Sequence, residues 1–165
     1  MCISFKGGNY RLSWKKMIEF QLQADSRILR SILPKIEEAF TLLSNHPWHV
    51  IFPCPTIEDE DLASAWDQSL EEEFSADRIA LAKLLKGKKL PYGYVEIDEE
   101  EAEGAIRGLS ELRLIIRHNS LADLSDADLE NGDFDLQKSS GAVKLGYFSY
   151  LILAEIQENL ISCLS

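Results

Sequence analysis

Asp98-Glu-Glu-Glu-Ala-Glu-Gly-Ala-Ile-Arg-Gly-Leu-Ser-Glu-Leu-Arg-Leu-Ile-Ile116 carries the clearest structural signal in the chain. Ala102, Ala105, Ile106, Leu109, Leu112 and Ile116 recur at three- and four-residue steps, which puts them on one side of an α-helix. Asp98, with Glu101 three residues on, has the form of a capping box at the start of that helix. Just before it, Tyr92 to Ile97 alternates, with Val95 and Ile97 on one face, and reads as a short strand.

Working outward, helical spacing dominates. Downstream, Ala142 to Leu164 is apolar almost all round, with only a thin polar stripe of Lys144, Glu155, Glu158 and Ser162, so it is expected at the centre of a bundle. Upstream, the spacing from Glu58 predicts a helix with Leu62, Ala65, Trp66, Leu70 and Phe74 in register. A break is expected at Ser75 to Asp77, a resumption through Ile79, Ala82 and Leu85, and a left-handed stop at Gly87.

Nearer the start, the period changes at Trp14. Ile18, Leu22, Leu29, Ile32, Leu33, Ile36, Phe40 and Leu43 predict one long amphipathic helix, kinked or divided near Leu33 by Pro34. Cys2–Lys6 and Tyr10–Ser13, joined across Gly7-Gly8-Asn9, read as a hairpin that the Val95 strand could join. Pro47, Pro53 and Pro55 make residues 45–56 an extended connection, and residues 119–140, rich in Asp with Asn131-Gly132, read as an acidic mobile loop. The expected fold is a single mainly α (α+β) domain over residues 1–165. It is a helical bundle around the C-terminal helix with a small two- or three-stranded sheet.

The chain has 165 residues, 45% hydrophobic and 27% charged, with a formal net charge of −11. That size and composition suit one globular core. The charge argues against nucleic acid and anionic membrane as partners, because both require cationic contacts to phosphate. Lys83, Lys86, Lys88 and Lys89 cluster where a helix should end, and there they complement its dipole. Cys2, Cys54 and Cys163 are odd in number and lack a C-x-x-C pair, so they read as reduced thiols. No secretory leader or membrane span is expected, and the expected location is the cytoplasm.

No nucleophile elbow, phosphate loop or H-E-x-x-H motif occurs, and no cofactor is expected. His46, His49 and Cys54 are the candidate metal ligands, set against a plain reading as a proline-rich loop on the core. Asp126-x-Asp128-x-Glu130 with Gly132 has part of a calcium-loop pattern, but its glycine comes one place late and Gln137 stands where the bidentate Glu belongs. Arg107 and Glu111, four apart, suit a surface ion pair, and Arg113 is the candidate anchor for a carboxylate from the acidic loop or a partner. Trp14, Trp48 and Trp66 are candidates for a homodimer interface.

The run from Val95 to Leu114, a strand, an acidic cap and a Leu-x-x-Leu-Arg-Leu helix, resembles the second half of an uncharacterised bacterial family, domain of unknown function twenty-seventeen. Tyr147-Phe-Ser-Tyr150 and Ala154-Glu-Ile-Gln-Glu-Asn-Leu160 are similar to that family's aromatic last helix, and a hairpin followed by a long helix also fits its start. The sequence departs from the family at Ala105 and Ile106, where a tryptophan is usual, and in its acidic loop. The resemblance implies no established activity. It implies a genomic association with the Clp protease adaptor of the N-end rule, and so regulation or proteolysis. The leading expectation is a non-enzymatic binding or regulatory module with a protein partner or self-association. The alternatives are a metal-dependent enzyme using the His46/His49/Cys54 loop and a homodimeric structural protein.

Overall fold

The computed structural model describes residues 15–45 and 54–165. Within them lie strand β1 (Met17–Gln21), helix α1 (Ser26–Ser44), helix α2 (Glu60–Leu85), a 3-10 turn (Leu90–Tyr92) and strand β2 (Tyr94–Asp98). Helices α3 (Glu99–Ser120), α4 (Asp126–Asn131) and α5 (Gly141–Leu164) follow. The architecture is mainly helical with a small antiparallel sheet, as the patterning predicts.

α3 lies where the spacing puts it, burying Ala102, Ala105, Leu109, Leu112 and Ile116. It packs against α1, α2 and α5, so it shares the bundle's centre with the C-terminal helix. Its capping chemistry differs from the expected box. Asp98 occupies the N-cap position without a side-chain cap bond, and its carboxylate takes Lys15 Nζ at 3.3 Å. Glu101 pairs with Lys83 of α2. On α5, Ile152, Leu153, Ile156 and Leu160 are buried, and Gly146 allows close approach to α3, since a Cβ there would lie 2.5 Å from Ser120 Cβ.

The helix expected from Trp14 starts later. Met17–Gln21 is a strand, pairing Ile18 with Ile97 and Phe20 with Val95, and α1 begins at Ser26 after Asp25 accepts the Arg27 amide at 2.7 Å. Ile18 and Leu22 satisfy a four-residue step and an alternating one equally well. A partner strand about 80 residues away decided between them. The hairpin expected from Cys2–Lys6 and Tyr10–Ser13 lies outside the described residues.

Pro34 does not divide α1, which runs unbroken over Ser26–Ser44. The ring sits on the exposed face, opposite buried Leu29, Ile32, Ile36, Ala39 and Leu43, so the carbonyl it leaves unpaired can be hydrated. Residues 119–140 include α4, opened by a capping box between Ser125 and Asp128 and closed by Gly132 at φ 68°.

α2 also departs from expectation. It is continuous for 26 residues, with no break at Ser75 to Asp77. Gly87 is not the left-handed stop, since the positive-φ glycines among the described residues are Gly93 and Gly132. The chain leaves α2 through Gly87 N–H to Leu84 O at 3.2 Å and then the 3-10 turn, where Gly93 at φ 89° turns it into β2. No described helix is long and apolar enough to cross a membrane.

Candidate functional site

The α2–α3 seam explains why α2 stays intact at Asp77. Gly104 and Gly108, one turn apart on α3, carry no side chain, and a Cβ on Gly108 would stand 3.1 Å from Leu81 Cβ. The two backbones can therefore come close, and Asp77 is enclosed at 2% exposure. A buried carboxylate needs a cation and hydrogen bonds. Arg107 supplies both in a two-pronged contact, Nε to Oδ2 at 2.9 Å and Nη2 to Oδ1 at 2.8 Å. Those bonds push the Arg107 pKa further up.

The expected partnership of Arg107 with Glu111 is thus replaced by one with Asp77. Glu111 is half-buried near the same seam. Burial pushes its carboxyl above the usual carboxylate value, with Arg78 opposing the shift and Asp77 adding to it. Arg113 does not reach the acidic loop. It donates to Gln157 Oε1 at 2.9 Å, and its guanidinium lies 4.4 Å from the Tyr150 ring centre. Gln157 in turn donates to Ile106 O at 3.1 Å and to Ser110 Oγ, joining α3 to α5.

The arginine that does reach the acidic stretch is Arg117, which bonds Asp126 Oδ1 at 3.1 Å and the carbonyls of Leu121 and Leu124. Of the calcium-like set, Asp126 is therefore held by Arg117 and Asp128 by the Ser125 cap. Sequence reasoning missed Asp77, Gln157 and Arg117. For Asp77 one signal was present, since the α2 stripe continues in register straight through it.

His46 and His49 lie outside the described residues, as do Trp14 and Trp48. Cys54 is partly buried with Sγ 3.6 Å from Thr56 Oγ1. Among the described residues no three His, Cys, Asp or Glu side chains are grouped to hold a metal ion. An open groove of about 350 Å³ between α2 and α3 is lined by Ala76, Ile79, Glu100, Glu103, Gly104 and Arg107. A second, of about 470 Å³ between α1 and α5, holds Arg27, Ile28, Ser31, Lys144, Leu145 and Phe148. Neither brings a nucleophile to a base, and the Ser31 hydroxyl donates to Arg27 O at 2.9 Å.

The remaining unusual feature is the first part of α2. From Glu60 to Ala76 no residue is buried, a helical stretch about 25 Å long. It carries Leu62, Trp66, Leu70 and Phe74 at four-residue steps, with Leu62 54% and Trp66 39% exposed, Leu70 and Phe74 half-buried, and Trp66 and Phe74 each engaged with other groups. Glu60, Asp61, Asp67, Glu71, Glu72 and Glu73 surround them, and no Lys or Arg lies between Lys35 and Arg78. Chemically this is an acidic, apolar-studded surface without reactive groups.

No family model matches the chain, and neither the curated proteins nor the solved structures contain a match to it.

Proposed function

We propose that this chain is a non-enzymatic cytoplasmic binding or regulatory module that acts through a protein partner. One observation carries the reading: among the described residues, Ile57 and Leu62 stand 74% and 54% exposed at the start of α2, amid the carboxylates Glu58, Asp59, Glu60 and Asp61. Large apolar side chains exposed among charged groups are suited to covering by another molecule. The polar groups of the candidate set serve the fold instead: Arg107 neutralises Asp77, and Arg113 ties α3 to α5 through Gln157. The resemblance to domain of unknown function twenty-seventeen, with its Clp-adaptor association, supports placing the module in regulated proteolysis.

Affinity capture of the tagged protein from its own cell lysate, with mass spectrometry and elemental analysis of the same preparation, tests this. A stoichiometric protein partner is expected. Bound zinc that is lost on His49→Ala, with no partner recovered, would replace the reading with a metal-dependent one.

A further inference from the structure

We infer that the groove between α1 and α5 is a docking surface for an acidic amphipathic segment of a partner protein. It uses none of the residues that carry the binding-module reading, so it adds a place and a partner chemistry that can fail on their own.

The groove is open, about 470 Å³ in volume, and its apolar lining is Ile28 and Ile32 from α1 with Leu145 and Phe148 from α5. Ile32 is buried and Phe148 half-buried, while Ile28 and Leu145 are 38% and 36% exposed. An open cleft of this size between two helices suits side chains projecting from one face of a partner's helix.

Charge selects the occupant. α2, α3 and α4 each carry carboxylates in the first turn, where the helix dipole favours them. α1 and α5 carry none there, and the N-terminal parts of both border the groove, bringing Arg27 and Lys144 to it. No Asp or Glu occurs within residues 26–36 or 141–154, in a chain that has 28 of them. Lys144 is half-buried and makes no ion pair among the described residues, and residues 1–14 and 46–53 contain no Asp or Glu to supply one.

The one carboxylate on the groove, Asp25, is already engaged. It caps α1 by accepting the Arg27 amide at 2.7 Å and takes the Arg27 guanidinium at 3.2 Å. The Arg27 side chain is almost fully exposed, and so exposed a pair is weak enough for the guanidinium to meet a second carboxylate. A segment with leucine-type residues on one face and Asp or Glu beside them meets both demands. Its anchors cover Ile28 and Leu145, and its carboxylates face Lys144 and Arg27 near the positive ends of two helix dipoles.

The test is calorimetric titration of the full chain with a synthetic Glu/Leu peptide of about 18 residues, patterned as an amphipathic helix. Controls are the same peptide with Lys for Glu and the same composition scrambled. Ile28→Ser with Leu145→Ser should weaken binding about tenfold, as should Arg27→Glu with Lys144→Glu. Lys86→Glu with Lys88→Glu, equal in charge but elsewhere, should change it less than about twofold. Circular dichroism checks that each variant is folded.

No binding of the Glu/Leu peptide, equal binding of the scrambled or Lys-bearing peptide, or an equal effect of the distant charge reversal overturns the inference. So does a dimer in sedimentation that Ile28→Ser with Leu145→Ser dissolves, which would make the groove a self-interface. If a partner captured from lysate is still held by the Ile28→Ser/Leu145→Ser protein, this inference fails while the binding-module reading stands. If no partner is captured, the binding-module reading fails, and the peptide titration alone decides the groove.

Discussion

The two ends of α2 belong to one unbroken helix but obey different rules. From Asp77 onward it buries Asp77, Ala80 and Leu81 beside the glycines of α3, buries Leu84 in the core, and pairs Lys83 with Glu101 of α3. From Glu60 to Ala76 no residue is fully buried, Leu70 and Phe74 are half-buried, and carboxylates are dense. The same apolar period runs through both. Patterning therefore marks an apolar face, while how deeply each part of it is buried depends on what lies opposite.

The sharpest break of this contrast is Leu81→Ala. Leu81 is fully buried at the closest approach of α2 and α3, so its truncation should cost about 2–5 kcal/mol in urea unfolding. Gly108→Val attacks the same contact by overfilling it, since even its Cβ would crowd Leu81 and the Asp77 carbonyl, and a loss of about 1–3 kcal/mol is expected. A neutral result there would mean that the helices can separate without cost.

Arg107→Met removes the partner of a carboxylate that is 2% exposed and should cost about 1–3 kcal/mol. Adding Asp77→Leu to that variant should restore most of the loss, because an apolar pair of similar volume leaves no buried charge unpaired. If the double variant is no more stable than Arg107→Met, the ion pair is not what the seam requires.

Glu111 sharpens the comparison through pH. Its folded pKa is raised above the ordinary 4.5, so the folded state binds the proton more tightly than the unfolded chain does. Its contribution is favourable below that ordinary value and is lost as pH rises through the folded pKa. Glu111→Gln should therefore raise the urea midpoint at neutral pH, and the gain should disappear below about pH 4.5. A pH-independent gain would point to packing instead. The smallest effect is expected from Leu62→Ala on the open end of α2, within about 0.5 kcal/mol, against the large loss at Leu81.

α3 was legible almost residue by residue because its stripe, its polar face and its acidic start all point to one helix. α5 was legible as a helix but not in its buried face, since its apolar residues run almost all round and Leu145, Leu151, Ile161 and Leu164 are exposed. β1 was not: five residues fit either period, and Ile97 and Val95, which select the strand, lie far along the chain. For the candidate residues, spacing on one helix proposed Arg107 with Glu111, but local spacing carries no information about Asp77 on α2. Arg113 was read as an anchor for a carboxylate of the acidic loop or a partner, whereas its contacts within the chain, Gln157 and Tyr150, are on α5.

The sequence by itself determined the mainly helical class, the buried face of α3, and an acidic composition. These follow from composition and from periods that repeat over many residues. Only the tertiary structure decided that Met17–Gln21 pairs as a strand, that α2 passes intact through a buried Asp77, and that Arg107 and Arg113 reach across to α2 and α5. Each of those outcomes depends on contacts between residues tens of positions apart. The energy of such a contact appears only when the two elements meet, so no local pattern can encode it.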